Sequence, residues 1–381
     1  MVFGGAALRW IGAFAALSVS GGGCASCGEA TAAKDGESTR EAPVLAPPVQ
    51  SSSPPAQEGV RFLKGQLHAH SNASGDSDTP AEEVAAWYAR RGYDFLVFTD
   101  HNRITDTPDS AGLLTIPGVE LTQNLSSCEP PPEPGLACLL HVNALFIERA
   151  PSPRGAGEAG DRSRLSIYAK ALEIALDMGA VAQLNHPNFH YGADAGVLFE
   201  LSKRGLGLVE IANQAADSAN EGDPGHPSTE ALWDEVLTRG GRLFATATDD
   251  AHHYADAEAA RARGEIAYVG DLGFVMVRAQ KTAASIRAAI ASGDFYSSTG
   301  VLLDRLDMDE DEIAVDVKGG GEGTLIEVIG TGGAIVAAVR GAALRFHPKS
   351  ATQGYLRVRI TDGQGRRAWS QPLFRVDDKD G

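Results

Sequence analysis

Two rhythms of apolar and polar residues alternate between residues 60 and 300. Short apolar runs of strand type end in polar side chains able to bind a ligand, as in YDFLVFTDH, LLTIPGVE, AVAQLNHP and RLFATATDDAHH. Helix-like stretches separate them, at 80–92, 163–179 and 228–240. This alternation predicts an α/β fold with a mostly parallel sheet, and enzymes of such architecture build active sites at the C-terminal strand ends.

The side chains at these strand ends are those that bind hydrolytic metals. In QLHAH, His68 and His70 are two positions apart, so both imidazoles point to one face of a strand, and a following turn returns Asp76. A single histidine is more often structural, but six of the ten histidines share this context. Mixed imidazole and carboxylate sites suit Mn, Zn or Fe. The predicted metal ligands are His68, His70, Asp76, His101, Glu120, His141, His186, Asp250 and His252.

After Gly300 the pattern changes to strands alone. The runs TLIEVIGTGGAIVAAV and YLRVRITDGQGRRAW are strand-like and broken by glycine turns, with no long helical stretch between them. This predicts a small accessory β-sandwich domain over 301–381, packed on the domain over 59–300 that carries the predicted metal ligands.

The N-terminal residues follow neither rhythm. Arg9 precedes the apolar run WIGAFAALSV and a small-residue stretch, which together are typical of a secretory signal and too short to span a membrane. Gly23-Cys24 resembles a lipoprotein cleavage site, with Cys24 as the lipidated residue. We therefore expect a leader over 1–27, export to the periplasm or cell envelope, and membrane contact only through that lipid. The Pro- and Ser-rich residues 28–58 predict a disordered tether.

Two further cysteines, Cys128 and Cys138, bracket a proline-rich segment. In an exported protein we expect them to form a disulfide, which would contribute roughly 2–4 kcal/mol of stability. A Gly-x-Ser-x-Gly motif is absent, and the four cysteines lie in the leader or in this segment. Serine or cysteine nucleophile chemistry is therefore not indicated.

The charge balance limits the partners. The 381 residues carry 33 Lys and Arg against 50 Asp and Glu, a formal net charge of −17. Such a chain repels polyphosphate backbones, so tight nucleic-acid binding is not expected. A small phosphoester remains compatible, because bound metal ions reverse the local field.

The ordered series His-x-His, Thr-Asp-His, Gly-x-Glu, Asn-His-Pro and Asp-x-His resembles the PHP (polymerase and histidinol phosphatase) superfamily. Within it, the chain is most similar to the CehA/McbA group of metal-dependent hydrolases. The matching stretches are GQLHAHSNASGD, FLVFTDHN, IPGVEL, LLHVNAL, LNHPN, TDDAH, GDFYSSTGV and, at the end of an accessory β domain, RRAWSQPLF. The resemblance implies a distorted seven-stranded β/α barrel that binds two or three divalent ions.

Carried over position by position, the resemblance implies three ligand sets, the first two bridged by Glu120. They are His68, His70, Glu120 and Asp250; Glu120, His141 and His186; and Asp76, His101 and His252. Asp100 would orient a ligand without binding an ion. Many members carry Ser-Asp-Gly where this chain has Ser74-Gly75-Asp76, which leaves open whether two or three ions bind. Family spacing favours Asp250 and His252 over the adjacent Asp249 and His253.

These features predict a metal-dependent hydrolase with Asp100, Glu120 and His252 as catalytic residues. A water bridging two ions would lose a proton and attack phosphorus or a carbonyl carbon. Phosphoesters are the leading small-molecule substrates on the resemblance alone, and amides, esters and carbamates are the alternative. A non-catalytic metal-binding surface module is a third interpretation. Arg103 and Asn188 are candidate substrate contacts.

Overall fold

The computed structural model describes residues 59–105, 110, 112–150, 160–348 and 354–374. The predicted leader and tether, and with them Cys24, lie outside the described residues. Within those ranges, no helix is long and apolar enough to cross a membrane.

The described residues form 17 strands and six α-helices. The strands of the first part are β1 (Arg61–Gln66), β2 (Phe95–Phe98), β3 (Leu114–Leu125), β4 (Cys138–Leu145), β5 (Val181–Leu184), β6 (Leu208–Asn213), β7 (Phe244–Thr248), β8 (Phe274–Ala279) and β9 (Phe295–Ser298). The later strands are β10 (Leu303–Met308), β11 (Ile313–Val317), β12 (Leu325–Gly330), β13 (Ala334–Arg340), β14 (Ala343–Phe346), β15 (Tyr355–Thr361), β16 (Arg367–Ser370) and β17 (Leu373–Phe374). The helices are α1 (Ala81–Ala89), α2 (Arg164–Asp177), α3 (Ala195–Ser202), α4 (Thr229–Thr238), α5 (Ala257–Ala262) and α6 (Ala283–Ser292).

Helices α1, α2 and α4 lie where the sequence pattern predicts them. Serine side chains cap two of them, since Ser163 accepts a hydrogen bond from Ser166 N at the start of α2 and Ser228 accepts one from Ala231 N at the start of α4. Strands β2 and β6 are buried along their whole length, which explains their nearly unbroken apolar sequences. The α/β prediction is confirmed, but the prediction of a mostly parallel sheet is wrong for the described residues, because most strand pairs of the large sheet are antiparallel.

Strands β1 to β7 follow one another in the sheet in chain order. The pairs β1·β2, β2·β3, β5·β6 and β6·β7 are parallel, whereas β4 runs antiparallel to both β3 and β5. Beyond the seventh strand, a parallel bridge between Ala69 and Ala251 joins the segment after β7 to the segment after β1. The C-terminal ends of β1, β2, β3, β5, β6 and β7 therefore lie on the same side of the sheet. The segments that follow β1 and β7 meet there.

The sheet continues on the other side of β1 into the C-terminal part of the chain. β1 pairs with β8, β8 with β9 and β9 with β16, all antiparallel, and β15, β12 and β13 follow. A separate three-stranded sheet consists of β10, β11 and β14. The all-strand character predicted after Gly300 is confirmed for the described residues, although these strands share a sheet with those before them.

Cys128 and Cys138 form the predicted disulfide, with Cα atoms 6.0 Å apart. It connects the segment after β3 to the start of β4. Both cysteines are buried against the core that also holds Tyr168 and Leu172 of α2. The disulfide therefore anchors one of the loops above the strand ends.

Candidate metal centre

Backbone hydrogen bonds bring the predicted ligand segments together at one end of the sheet. Asp250 N donates to His68 O and His70 N donates to Ala251 O, each over 3.0 Å. Glu120 N donates to Asp100 O over 3.2 Å, which ties β3 to the end of β2. These backbone contacts therefore place the side chains of His68, His70, Glu120 and Asp250 close to one another.

Glu120 lies at the centre of the cluster, with a side chain only 1% exposed. Its Oε1 atom lies 3.0 Å from His141 Nδ1, 3.5 Å from His68 Nε2 and 3.6 Å from His186 Nε2. Ligand atoms of Glu120, His141 and His186 all lie within 4.8 Å of one another, as a shared ion requires. This is the second of the implied ligand sets.

A second group contains His68, His70 and Glu120, again with ligand atoms within 4.8 Å of one another. Asp250 adjoins it, because its Oδ1 atom lies 3.2 Å from His68 Nε2 and 3.1 Å from His70 Nε2. Glu120 belongs to both groups, and each of its oxygens faces different imidazoles. The geometry thus allows this carboxylate to bridge two ions.

A third group lies towards the surface and contains His70, Asp76, His101 and His252. Asp76 Oδ2 lies 3.0 Å from His101 Nε2 and 3.4 Å from His252 Nε2, and the rings of His70 and His252 stack at 4.1 Å. Asp76 reaches these histidines even though it lies one position later than in the family pattern. Its side chain is 50% exposed, unlike the other carboxylates of the cluster.

The residues present fit divalent cations, and two buried nitrogens show it. His68 Nε2 and His141 Nδ1 are buried and make no hydrogen bond among the described groups, although both approach Glu120 Oε1. The opposite nitrogen of each ring is bound, His68 Nδ1 to Glu210 over 2.7 Å and His141 Nε2 to Asn124 over 2.8 Å. Metal-binding histidines commonly have such a partner, which leaves the other nitrogen for the ion.

Burial and charge set the protonation of the cluster. Burial disfavours an ionised Glu120, but His141, His68 and His101 together outweigh it and hold the pKa of Glu120 well below its usual range. Burial lowers the pKa of His70 to about 4. Burial also opposes a proton on His101, yet its hydrogen bonds to Asp76 and Glu120, together with their charges, raise the pKa of His101 to about 10. Without cations, protonated imidazoles balance the carboxylates, so binding divalent ions must release protons.

The backbone is strained at two of the ligands. Asp250 has φ +52° and His186 has φ +26°, in the left-handed region that residues other than glycine seldom adopt. Such conformations cost of order 1–3 kcal/mol and persist where the surroundings impose them, commonly at functional sites. Both strained residues belong to the cluster.

The pattern of strand ends missed a buried carboxylate that supports the ligands. Glu210, within β6, accepts hydrogen bonds at Oε1 from Thr248 Oγ1 over 2.7 Å and at Oε2 from His186 N over 2.7 Å. Asn213 Nδ2 donates to Glu210 Oε2 over 2.9 Å and to Asp250 Oδ2 over 3.1 Å. Together with its contact to His68, Glu210 connects three of the ligand segments. The signal in the sequence was a charged residue inside an otherwise apolar strand, LVEIAN.

A buried amide was missed as well. Asn185 Nδ2 donates to Glu120 Oε1 and to Asn143 Oδ1, each over 2.9 Å. It precedes His186 in the Asn-His-Pro motif and lies at 0% exposure. Asn185 therefore fixes the orientation of the central carboxylate.

The two ambiguous neighbours fall outside the cluster. Asp249 accepts hydrogen bonds from Tyr88 OH, Gln66 Nε2 and the backbone N of Gly273, over 2.6–2.9 Å. Burial raises the pKa of Asp249 to about 6 despite these donors. His253 Nδ1 accepts a hydrogen bond from Tyr268 N over 3.2 Å. Neither residue belongs to a potential ligand group among the described residues.

Asp100 contacts no metal-ligating side chain directly. Its Oδ1 accepts a hydrogen bond from Ser71 N over 2.6 Å, and its Oδ2 accepts from Ser71 Oγ over 2.8 Å and from Thr105 Oγ1. It therefore fixes the turn that follows His70, and any effect on the ligands is indirect.

The two candidate substrate contacts are placed elsewhere. Asn188 Nδ2 donates to the backbone oxygens of Ala219 and Pro227 over 3.0 and 2.9 Å, so its amide joins two loops. Arg103 is exposed and does not line the cavity over the cluster. The structure thus brings neither residue to the position that the prediction gave it.

A cavity of about 270 Å³ opens over the cluster. Ligand residues form its floor, and its walls come from strand residues and from the segments that follow strands: Asn124, Leu139, Phe189, Asn213, Ala215, Asp217, Ser218, His253 and Tyr268. The cavity is large enough for a small organic molecule to reach the ligand atoms.

No protein-family model matches the chain, and no curated protein is similar to it. Among solved structures, it is similar to a two-domain protein from Bacteroides vulgatus described as containing a predicted PHP-like metal-dependent phosphoesterase. The identity is 17% and the TM-score 0.44, over 83% of this chain and 97% of the other.

Proposed function

We propose that this protein is a metal-dependent hydrolase that acts on phosphoesters. The observation that carries the proposal is the pair of unbonded buried nitrogens, His68 Nε2 and His141 Nδ1, which both lie close to Glu120 Oε1. Buried polar atoms are almost always satisfied, so their natural partner is a cation that the carboxylates also attract. The cavity above them gives a substrate access.

Divalent ions in these groups would supply the positive charge that lowers the pKa of water and polarises the bond to be broken. Glu120 belongs to both ligand groups, so its carboxylate would help to hold both ions. Asn185 and Glu210 hold Glu120 and His68 in place through hydrogen bonds. When ions fill only these two groups, His252 remains beside Asp76 at the wall of the cavity and can pass a proton to the leaving group.

The experiment is to remove metal with a chelator, reload the protein with Mn, Zn or Fe, and assay phosphomonoesters, phosphodiesters and carbamates. We expect hydrolysis only after reloading. The His68→Ala/His70→Ala double variant should lose bound metal and turnover while its circular dichroism stays unchanged. His253→Ala is the matched control, because His253 lines the cavity but lies outside the ligand groups. Full metal content in the double variant would overturn the assignment.

One observation favours an ester, amide or carbamate as the alternative substrate. Among the described residues, no lysine or arginine lines the cavity, so a phosphate dianion would depend on the ions alone for its counter-charge. The same panel of substrates decides between the two. If the reloaded protein binds metal stoichiometrically but hydrolyses none of them, the non-catalytic interpretation replaces both.

The remaining expectations complete the proposal. The bridge between Ala69 and Ala251 supports a distorted barrel of seven strands over 59–300, followed by an accessory β domain over 301–381. Export, with or without a lipid on Cys24, accords with the disulfide. Mass spectrometry of the protein from its native cell should find an N-terminus at or after Cys24, and an intact Met1 in a cytoplasmic fraction would contradict export.

A further inference from the structure

The outer part of the cavity is walled by residues that belong to no ligand group. Leu139, Phe189 and Ala215 supply apolar and aromatic surface there. Tyr268 lies beside the cluster, with its ring 5.7 Å from that of His252, and its OH donates to Asp217 Oδ2 over 2.9 Å. A group departing from the metal centre must pass this surface.

The charge on that wall is of one sign. Three carboxylates of the lining, those of Asp76, Glu120 and Asp250, lie within the cluster and face its histidines. Asp217 is the remaining carboxylate of the described lining, and no lysine or arginine accompanies it. Beyond the metal centre, a leaving group therefore meets negative charge and aromatic rings, both of which attract cations and disfavour anions.

We propose that Asp217 determines leaving-group specificity, so that the cavity accepts uncharged or cationic leaving groups with an apolar body and disfavours anionic ones. This rests on the proposed hydrolytic function but not on whether the ester is a phosphoester or a carbamate. Esters whose leaving group carries a further phosphate or carboxylate should therefore be poor substrates. Asp217 acts by its charge and takes no part in bond cleavage.

The expected size follows from Coulomb's law at the surface of a protein. Asp217 is exposed, so solvent screens its charge. For an ester whose leaving group carries a unit charge several ångströms from Asp217, we expect removal of the Asp217 charge to change kcat/KM by about 3- to 10-fold. The Tyr268 hydroxyl donates to one oxygen of the carboxylate and so holds Asp217 at the wall of the cavity, which both residues line. The effect should shrink as salt is added, because exposed charges are screened within about 10 Å at 0.1 M.

The test uses three methyl phenyl phosphodiesters that differ only at the para position: trimethylammonium, acetyl and carboxylate. For each ester, kcat/KM of metal-loaded Asp217→Asn is divided by that of the wild type, which cancels the intrinsic reactivity of the leaving group. We expect a 3- to 10-fold fall for the cationic ester, less than a 2-fold change for the neutral one and a 3- to 10-fold rise for the anionic one. Asp217→Lys should enlarge both changes and serves as the second variant.

Glu258→Gln is the matched control, since it removes the same charge from an exposed position on α5, outside the cavity. It should leave all three ratios near one. Equal ratios in Asp217→Asn, or the same trend in Glu258→Gln, would overturn the proposal.

Failure of the hydrolytic function can be told apart from failure of this inference. If the metal-loaded wild type cleaves neither these esters nor the phosphomonoesters and carbamates of the first assay, the proposed function fails. Calorimetric binding of para-substituted phenylphosphonates with the same three groups then decides the inference. Tighter binding of the cationic compound, lost in Asp217→Asn, supports the role of Asp217, and equal affinities for the three compounds reject it.

Discussion

Two buried clusters of charged side chains differ in what neutralises them. In the first, Arg357 of β15 lies at 0% exposure between two carboxylates of α4, with Nη2 2.7 Å from Glu230 and 2.6 Å from Asp234. Tyr355 OH donates to Asp234 over 2.6 Å, and Arg359 reaches Glu230 and Glu327. In the metal centre, the carboxylates face imidazoles instead, and the described lining of its cavity holds no arginine or lysine.

The difference separates a structural cluster from a functional one. A guanidinium keeps its charge at any ordinary pH, so the cluster around Arg357 carries its own cations and fastens the C-terminal strands to α4. Imidazoles are charged only when protonated, and their nitrogens can bind a metal ion, as the unbonded His68 Nε2 and His141 Nδ1 could; Arg357 Nη1 is also unbonded, but as a donor it cannot. The metal centre therefore needs cations from outside, whereas the other cluster does not.

The largest effect is expected from breaking the self-sufficient cluster. Arg357→Met should lower the free energy of unfolding by about 3–5 kcal/mol, because it removes the counter-ion of the buried Asp234 and one of the two arginines that face Glu230. Urea denaturation measures this, and metal content of the folded protein should stay unchanged. The control is Arg263→Met, which breaks an exposed pair with Glu265 and should cost about 1 kcal/mol or less. Loss of metal in folded Arg357→Met would show that the metal centre depends on the cluster around Arg357.

The metal centre should respond in the opposite way. Glu120→Gln keeps the volume of the side chain but removes the charge shared by two ligand groups, so we expect at least about a 10²-fold fall in kcat together with loss of one ion. Elemental analysis and steady-state kinetics measure both. Glu327→Gln, a buried carboxylate of the other cluster, should lower stability and leave the metal count unchanged. A fully loaded and active Glu120→Gln protein would contradict the bridging role.

A smaller effect is expected one contact away from the ions. Glu210→Gln replaces one acceptor oxygen by an NH₂ group, which cannot accept the hydrogen bonds from His186 N and Asn213. Metal affinity should fall about 10- to 100-fold, measured by competition with a chromogenic chelator. Asp100→Asn should cost less than this, because its carboxylate supports Ser71 and no ligand side chain. A larger loss in Asp100→Asn would exchange the two roles.

The metal centre could be predicted from the sequence, whereas the cluster around Arg357 could not, and the reason is physical. His68, His70 and Asp250 lie at the ends of apolar runs, and parallel strands bring such ends together, so pattern alone located them. Glu230 and Asp234 are four residues apart on α4, a spacing that equally suits a solvated helix face. Their burial depends on β15, more than a hundred residues later, and local patterns contain no such information. The strand-end positions were predictable, but the cavity walls at Asp217 and Tyr268 depend on loop conformations.

The smallest effect, in the pH dependence of stability, tests whether the two clusters are independent. Burial raises the pKa of Glu230, but the combined attraction of Arg357 and Arg359 outweighs it, so the pKa of Glu230 is lower in the folded than in the unfolded protein. The unfolded state therefore binds more protons than the folded state in this pH range. The ionised Glu230 stabilises the fold fully above its unfolded pKa of about 4.3, and this stabilisation is lost as the pH falls through the lower pKa of Glu230 in the folded protein. Glu230→Gln removes this dependence, so the difference in unfolding free energy between wild type and variant should narrow as the medium is acidified below about pH 4.3.

The decrease in this free-energy difference at low pH should be the same in chelator and in saturating metal, because Glu230 belongs to no ligand group among the described residues. Carboxylates of the metal centre titrate in both proteins and cancel in the difference. Urea denaturation between pH 7 and 3, with and without metal, measures it. A difference that widened in acid would reverse the sign of the pKa shift. A difference that changed when metal was added would show that the two clusters exchange charge, and the separation between a structural and a functional cluster would then fail.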